Sequence, residues 1–267
     1  MEIIGYIAAI LIGISLGLVG SGGSILTVPV LVYLMGVDPL LATTSSLFIV
    51  GFTSLIGGIR AYSKDLLDYR AVTEFGFPSV LSIFLTRHNL LPAIPDTLFT
   101  ISGITITKNI MLMLVFAILM LLASWSMIRN RDSDTKTATS KQGAARVFPL
   151  MVFGLLIGVV TGLLGAGGGF LIIPTLVLFL GLDMKTAVGT SLMIIAINSL
   201  FGFLFSLNHF TFNWPLLLSF AVLSAAGLFI GSRFSEKISP AALKKGFGWF
   251  ILIMGIFVII KELFLSK

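Results

Sequence analysis

The chain contains no cysteine, which excludes disulfides, iron–sulfur clusters and thiolate-ligated metals. Charge is scarce as well: 10% of residues are Asp, Glu, Lys or Arg, where a soluble domain carries roughly a quarter. With 57% hydrophobic residues and a mean hydropathy of +1.11, that shortage excludes a soluble globular domain and leaves a polytopic membrane protein. Strand-length alternation of apolar and polar residues is missing, so the spans are helices rather than barrel strands. There are only two histidines, His88 and His209. Both fall in connections, without a metal-ligand partner at suitable spacing, so no metal or other cofactor is expected. H-E-x-x-H is absent and no lysine follows a glycine run, which argues against a zinc protease and against direct ATP hydrolysis. No A-x-A-like site followed by a polar chain succeeds the first apolar segment, which is expected to be a retained span.

What the sequence has in abundance is glycine, and it is placed twice in the same pattern. Residues 12–57 reappear at 157–202 without a gap. The first copy contains G-L-V-G-S-G-G-S-I-L-T-V-P-V-L and the second G-L-L-G-A-G-G-G-F-L-I-I-P-T-L. Gly17, Gly20, Gly22, Gly23 and Pro29 thus fall on Gly162, Gly165, Gly167, Gly168 and Pro174. The register holds at Gly36/Gly181, Asp38/Asp183, Ser46/Ser191, Ser54/Ser199 and Gly57/Gly202. Glycine-interrupted apolar segments at corresponding places in two halves are the pattern of a secondary transporter whose site is built from broken helices.

With Gly, Pro and charge clusters as punctuation, apolar segments fall at about 3–19, 24–36, 39–59, 71–86, 110–128, 147–165, 169–181, 185–207, 214–232 and 245–264. Segments 24–36 and 169–181 are about 20 Å long, short of the ~30 Å hydrocarbon core. They are half-helices, re-entrant arms or steeply packed short spans, so six to ten full spans are open. The expected fold is all-α: two inverted membrane repeats, 1–128 and 147–267, each with a glycine-broken helical hairpin plus three spans, joined by a polar linker at 129–146.

The net charge of +6 sets orientation rather than a nucleic-acid partner, because the basic residues sit between apolar segments. Arg129, Arg131, Lys136, Lys141 and Arg146 make the linker cytoplasmic. Arg60, Lys64 and Arg70 do the same for 60–70, whose repeat partner at 208–213 has no Lys or Arg. Arg233, Lys237, Lys244 and Lys245 place 233–245 inside, and its partner at 87–109, a local insertion with Arg87 and Lys108, is placed outside. Equivalent loops on opposite faces follow from an odd number of crossings per repeat. Both termini are then expected outside.

The breaks are the expected substrate site: Gly20, Ser21, Gly22, Gly23 and Ser24 in one half, and Gly165, Ala166, Gly167, Gly168 and Gly169 in the other. A glycine turn opening a helix offers amide N–H groups and the positive end of the helix dipole, which suits an anion. An inverted axis is expected to bring the two turns face to face near mid-membrane. By contrast, Gly13-x-x-x-Gly17 and Gly158-x-x-x-Gly162 are expected to be packing contacts. Asp38 and Asp183 fit helix N-caps. Thr44, Ser45, Thr190 and Ser191, with Thr43, Ser46, Asn198 and Ser199 nearby, serve either as interhelical glue or as substrate lining. Glu74 is the clearest acid in a span and a candidate for proton coupling, although its repeat partner is Ser219.

The doubled G-x-x-G-x-G-G-x-x-x-x-x-P block, each copy followed by G-x-D and a small-residue helix, resembles the sulfite exporter / toluene-sulfonate uptake permease family (TauE/SafE). That resemblance implies a multi-pass transporter in the cytoplasmic membrane of a prokaryote, acting on anions such as sulfite and sulfonates. It points to Gly20, Gly22, Gly23 and Pro29 and to Gly165, Gly167, Gly168 and Pro174. The expected partners are a small anionic substrate and the lipid bilayer, with proton coupling and homo-oligomerisation left open. An anion channel is the alternative to a permease. An intramembrane enzyme is not expected, since Ser21 has no membrane-embedded base and its counterpart is Ala166.

Overall fold

A computed structural model describes residues 2–20, 22–101, 104–129, 144–165, 167–207, 210–235 and 240–262. Most of the linker, Ser21, Ala166, His209 and Lys237 therefore lie outside the described residues. The fold is all-α. Its helices are α1 (Glu2–Val19), α2 (Gly22–Pro29), α3 (Pro39–Tyr62), α4 (Tyr69–Leu85), α5 (Leu91–Ala93), α6 (Lys108–Arg129), α7 (Ala144–Leu164), α8 (Gly169–Leu180), α9 (Met184–Leu204), α10 (Trp214–Ser235) and α11 (Pro240–Ile260). A two-stranded antiparallel hairpin, β1 (Thr97–Ile101) and β2 (Ile104–Thr107), is a small appendix between α5 and α6.

The polarity of the fold is inside out. Thr43, Thr44, Ser46, Ser54, Ser79, Asn198, Ser199 and Ser224 are fully buried, whereas Phe77, Phe148, Trp125 and Ile253 are each more than 60% exposed. Only a lipid-facing surface makes that distribution favourable, because apolar side chains on the outside then cost nothing and polar ones must find partners within. By length and composition, Pro39–Tyr62, Met184–Leu204 and Trp214–Phe234 suffice to cross a membrane. The chain is a multi-pass membrane protein.

Each sequence punctuation mark has a local cause. Asp38 Oδ1 accepts the N–H groups of Leu40 and Leu41 at 2.9 and 3.3 Å, with Pro39 at the first helical position, and so starts α3. Asp183 Oδ2 does the same for α9 through Lys185 and Thr186, both at 3.1 Å. Pro29, which lacks an N–H, closes α2, and the chain continues as a π turn, Val30–Leu34. The two arms are short, as expected.

Packing couples the halves reciprocally. The halves share their contacts: α1 packs on α10 as its repeat counterpart α7 packs on α4, and α3 packs on α10 as α9 packs on α4. The counterpart pairs α3–α9, α6–α11 and α2–α8 also touch. Glycines make the closest of these approaches possible. A Cβ at Gly13 would strike the backbone of Ser224, and one at Gly158 would lie 2.5 Å from the carbonyl oxygen of Ser79, the repeat counterpart of Ser224. Both glycine pairs are thus the packing contacts expected of them, each against a helix of the other half.

One stretch departs from the expectation. The segment 87–109 is not an exposed loop in its first part, because α4 continues as a π turn, Thr86–Leu90, that carries Arg87 into the interior. Arg87 is 4% exposed and Lys108 8%. Lys108 Nζ donates to the carbonyl of Leu91. Charge punctuation cut this helix too early, since the helical run continues from α4 through the π turn to Ala93.

Candidate functional site

The helices α3 and α9 form the centre of the protein and run antiparallel. Gly51 meets Leu200, Gly57 meets Leu192, Gly58 meets Met193 and Gly202 meets Leu47, so rising numbers on one helix match falling numbers on the other. Each glycine break leans on this pair. A Cβ on Gly165 would overlap the carbonyl of Thr43, near the start of α3, while one on Gly20 would lie 2.5 Å from Val188 Cγ1, near the start of α9. Those two contacts are repeat counterparts. They lie at opposite ends of the pair, separated by about 27 Å of helix. The expected face-to-face meeting of the two turns is corrected accordingly: their outer glycines flank the centre from opposite ends. Gly167 reaches inward, where a Cβ would sit 3.0 Å from both Ile195 Cγ2 and Ser199 Oγ and 3.2 Å from Val50 Cγ1.

The two turns also differ in backbone. Gly165, Gly167 and Gly168 have φ of +68°, +64° and +66°, a left-handed conformation that side chains strain to adopt. Gly168 is the N-cap of α8. In the first break Gly20 is left-handed (φ +76°), and α2 has already begun at Gly22, so Gly22, Gly23 and Ser24 are helical. Gly23 and Ser24 are buried, as are Gly167, Gly168 and Gly169. The second turn is therefore the wider one, and Gly169 opens α8 where Ser24 lies inside α2.

Polar groups gather around the second turn. A Cβ on Gly168 would fall 2.5 Å from Thr161 Oγ1. That hydroxyl and Ser199 Oγ, beside Gly167, are buried with no hydrogen-bond partner among the described residues, as is Ser54 Oγ, the repeat counterpart of Ser199. Unpartnered buried hydroxyls are costly at about 1–3 kcal/mol each, so a cluster of them marks a place built for something polar. On the flank of the turn, a Cβ on Gly162 would meet Thr86 Cβ at 2.8 Å. The next residue, Arg87, donates from Nη1 to Thr44 Oγ1 at 2.9 Å and to Ser206 Oγ at 2.8 Å. Its Nε and Nη2 are buried and unpartnered among the described residues.

The remaining candidates are less concentrated. Thr44 belongs to this cluster and Ser45 is buried beside it on α3. Thr190 is occupied structurally, since its Oγ1 accepts the N–H of Asp68 at 3.0 Å, and Ser191 Oγ donates to the carbonyl of Val188 at 2.8 Å. Both lie at the other end, near Gly20. Glu74 is half-buried on α4, and His88 is exposed and stacked on Phe84. Sequence reasoning missed Arg87 and Ser206. The repeat held a usable signal for the first: Arg87 aligns with Ser232, inside α10, and so belongs to a helix rather than a loop.

Comparison with known proteins agrees with this architecture. Residues 5–258 match the family described as Sulfite exporter TauE/SafE. The chain is 29% identical over 255 residues to a probable membrane transporter protein of Xylella fastidiosa (strain Temecula1 / ATCC 700964), covering 93% of this chain and 91% of the relative. It is 26% identical over 259 residues to the probable membrane transporter protein YunE of Bacillus subtilis (strain 168), covering 90% and 89%. A probable membrane transporter protein of Haemophilus influenzae (strain ATCC 51907 / DSM 11121 / KW20 / Rd) is 25% identical over 272 residues, covering 94% and 95%. No solved structure gives a significant match. The chain belongs to the TauE/SafE family, a family of membrane transporters rather than enzymes.

Proposed function

We propose that this family member is a secondary permease of small anions, sulfite, sulfonates or related organic anions, which works by alternating access of two inverted halves around the glycine breaks. The carrying observation is the second turn, where three left-handed glycines lie beside the unpartnered hydroxyls of Thr161 and Ser199. Such a turn leaves no side chain over its amides and ends at the positive pole of α8. Alternating access needs an element that exchanges one arrangement for another. The reciprocal packing of α1 on α10 and of α7 on α4 supplies two equivalent bundles that rock against the antiparallel α3–α9 pair.

The inverted arrangement is supported by that antiparallel pairing of counterpart helices. It is also supported by the burial of Arg87 and Lys108, the two cations that had blurred the charge bias of the outer segment 87–109. In this reading the linker, 60–70 and 233–245 face the cytoplasm in a prokaryotic cell membrane, and both termini face outward. Proton coupling through Glu74 is compatible with its half-buried place on α4.

Flux in proteoliposomes tests the proposal. Sulfite or a small sulfonate should enter with saturating kinetics, and Gly23→Leu or Gly168→Leu should abolish that flux while the protein still inserts. Normal flux in both variants defeats the role of the breaks, and flux that rises linearly without saturation assigns the protein to the channels instead.

A further inference from the structure

We propose that Arg87 is the anion-binding side chain of this transporter, and that it selects oxyanions with two oxygens on one centre through the Nε–Nη2 edge of its guanidinium. The inference rests on the anion-permease reading and adds to it the charged group that the glycine breaks lack.

A guanidinium is planar and holds its charge at any physiological pH, with its five N–H groups in a fixed fork. Here Nη1 is committed, at 2.9 Å to Thr44 Oγ1 and 2.8 Å to Ser206 Oγ. Both hydroxyls are set up as acceptors, because each hands its own proton to a backbone carbonyl, Thr44 to Leu40 and Ser206 to Gly202. The group is therefore clamped between the start of α3 and the residues following α9, and its plane is fixed. What the clamp leaves over is the opposite edge: Nε and Nη2 are buried and without partners among the described residues.

An edge of that kind carries two parallel N–H donors spaced to meet two oxygens of one carboxylate, sulfonate or sulfite group, a bidentate pairing that a lysine or a row of hydroxyls cannot reproduce. No carboxylate among the described residues pairs with Arg87. A buried cation without a counterion is strongly disfavoured, whereas one met by a transported anion is stabilised during the loaded part of the cycle. The neighbourhood is the glycine turn itself, since Gly162 lies against Thr86 and Gly165 against Thr43, the residues adjacent to Arg87 and Thr44.

The fork exists once. At the positions that the repeat equates with Arg87, Thr44 and Ser206 stand Ser232, Gly189 and Ala61. Ser232 instead receives Nη1 of Arg60, a half-buried arginine whose guanidinium lies 5.8 Å over the Phe229 ring. The anion is thus held by charge at one end of a symmetric frame, and the other end lacks the clamp.

Uptake by the full chain in proteoliposomes separates this inference from the one beneath it, with labelled sulfite, methanesulfonate and acetate as probes. Arg87→Lys keeps the charge and loses the fork, so half-saturation should rise by about tenfold or more for every transported probe with the maximal rate little changed. Arg87→Gln should lose saturable uptake. On the wild-type protein, unlabelled oxyanion should compete with the labelled probe, and chloride at the same concentration should not. Unchanged half-saturation in Arg87→Lys, or chloride competing as well as acetate, overturns the fork and leaves transport at the glycine breaks standing. Failure of the wild type to take up any of these probes overturns the permease reading and the fork with it. The chloride competition needs no variant, so it decides even where a substituted protein fails to fold.

Discussion

The two halves of this protein share a sequence block and a set of contacts, yet differ in what they place beside their glycine breaks. Around Gly165 to Gly169 stand Thr161, Ser199, Thr44, Ser206 and Arg87; against Gly20 stands Val188, and against Gly17 stands Ser232, which receives a half-buried Arg60. Positions that define the frame are conserved between the halves: Gly13 with Gly158, Gly17 with Gly162, Val50 with Ile195, Ser79 with Ser224. The buried cation is not, since Arg87 falls on Ser232. In the proposed cycle the duplicated frame rocks because its two halves make equivalent contacts, while the single proposed anion needs its counter-charge only once.

Topology breaks or keeps that comparison outright. If the halves are inverted as proposed, reporter fusions in the counterpart loops at residues 65 and 210 should give opposite signals, one cytoplasmic and one extracytoplasmic. The same signal from both would end the inverted reading, and the charge asymmetry would then need another explanation.

The packing glycines test the frame at finer scale. The nearest atoms to a Cβ built on Gly13 are backbone of Ser224, and its closest contact there is shorter than the 2.5 Å from a Cβ on Gly158 to the carbonyl oxygen of Ser79. At Gly158 the neighbours include Ser82 Cβ, 2.7 Å away, together with backbone of Ser79. Overpacking costs about 1–3 kcal/mol and more where backbone must move. Gly13→Ala should therefore lower the thermal midpoint of the detergent-solubilised protein more than Gly158→Ala. The reverse order would mean that α4 and α7, rather than α1 and α10, form the stiffer joint.

These contrasts also explain what the sequence alone could convey. The repeat, the short arms, the N-caps and the packing role of Gly13 and Gly158 follow from local chemistry that recurs at fixed spacing, so one chain suffices to read them. The site divides differently. Gly165 to Gly169 were legible because glycine runs disrupt a helix wherever they occur. Arg87 was not, because a cation near the end of an apolar segment reads as a membrane boundary, and only tertiary structure carries it between α3 and α9. Ser206 lies beyond the end of α9 and has Ala61 as its counterpart, so neither local pattern nor repetition marks it. The opposed placement of the turns was likewise set by the antiparallel crossing of α3 and α9, which spacing does not encode.

The smallest expected difference concerns the two N-caps. Asp38 and Asp183 are repeat counterparts and each accepts two backbone N–H groups, but Asp38 Oδ2 also accepts Nδ2 of Asn109 at 2.9 Å, tying α3 to the start of α6. Asp183 is bonded to Lys185 and Thr186 and has no such tie among the described residues. Removing a cap costs about 0.5–2 kcal/mol. Asp38→Ala should accordingly lie toward the upper end of that range and Asp183→Ala toward the lower. The Asp183 carboxyl, at the exposed entrance of α9, is held below the usual carboxylate range chiefly by its side-chain hydrogen bond with Thr186, then by backbone N–H groups. A depressed folded-state pKa stabilises the protein above the unfolded value of about 3.9, and that contribution fades as the pH falls through the folded value. Asp183→Asn keeps an N-cap and removes the titration. The gap in thermal midpoint between wild type and Asp183→Asn should therefore be steady at neutral pH and close on acidification below about pH 4. A gap that persists unchanged in acid would assign the cap to geometry rather than to charge, and would leave the two halves alike at this position.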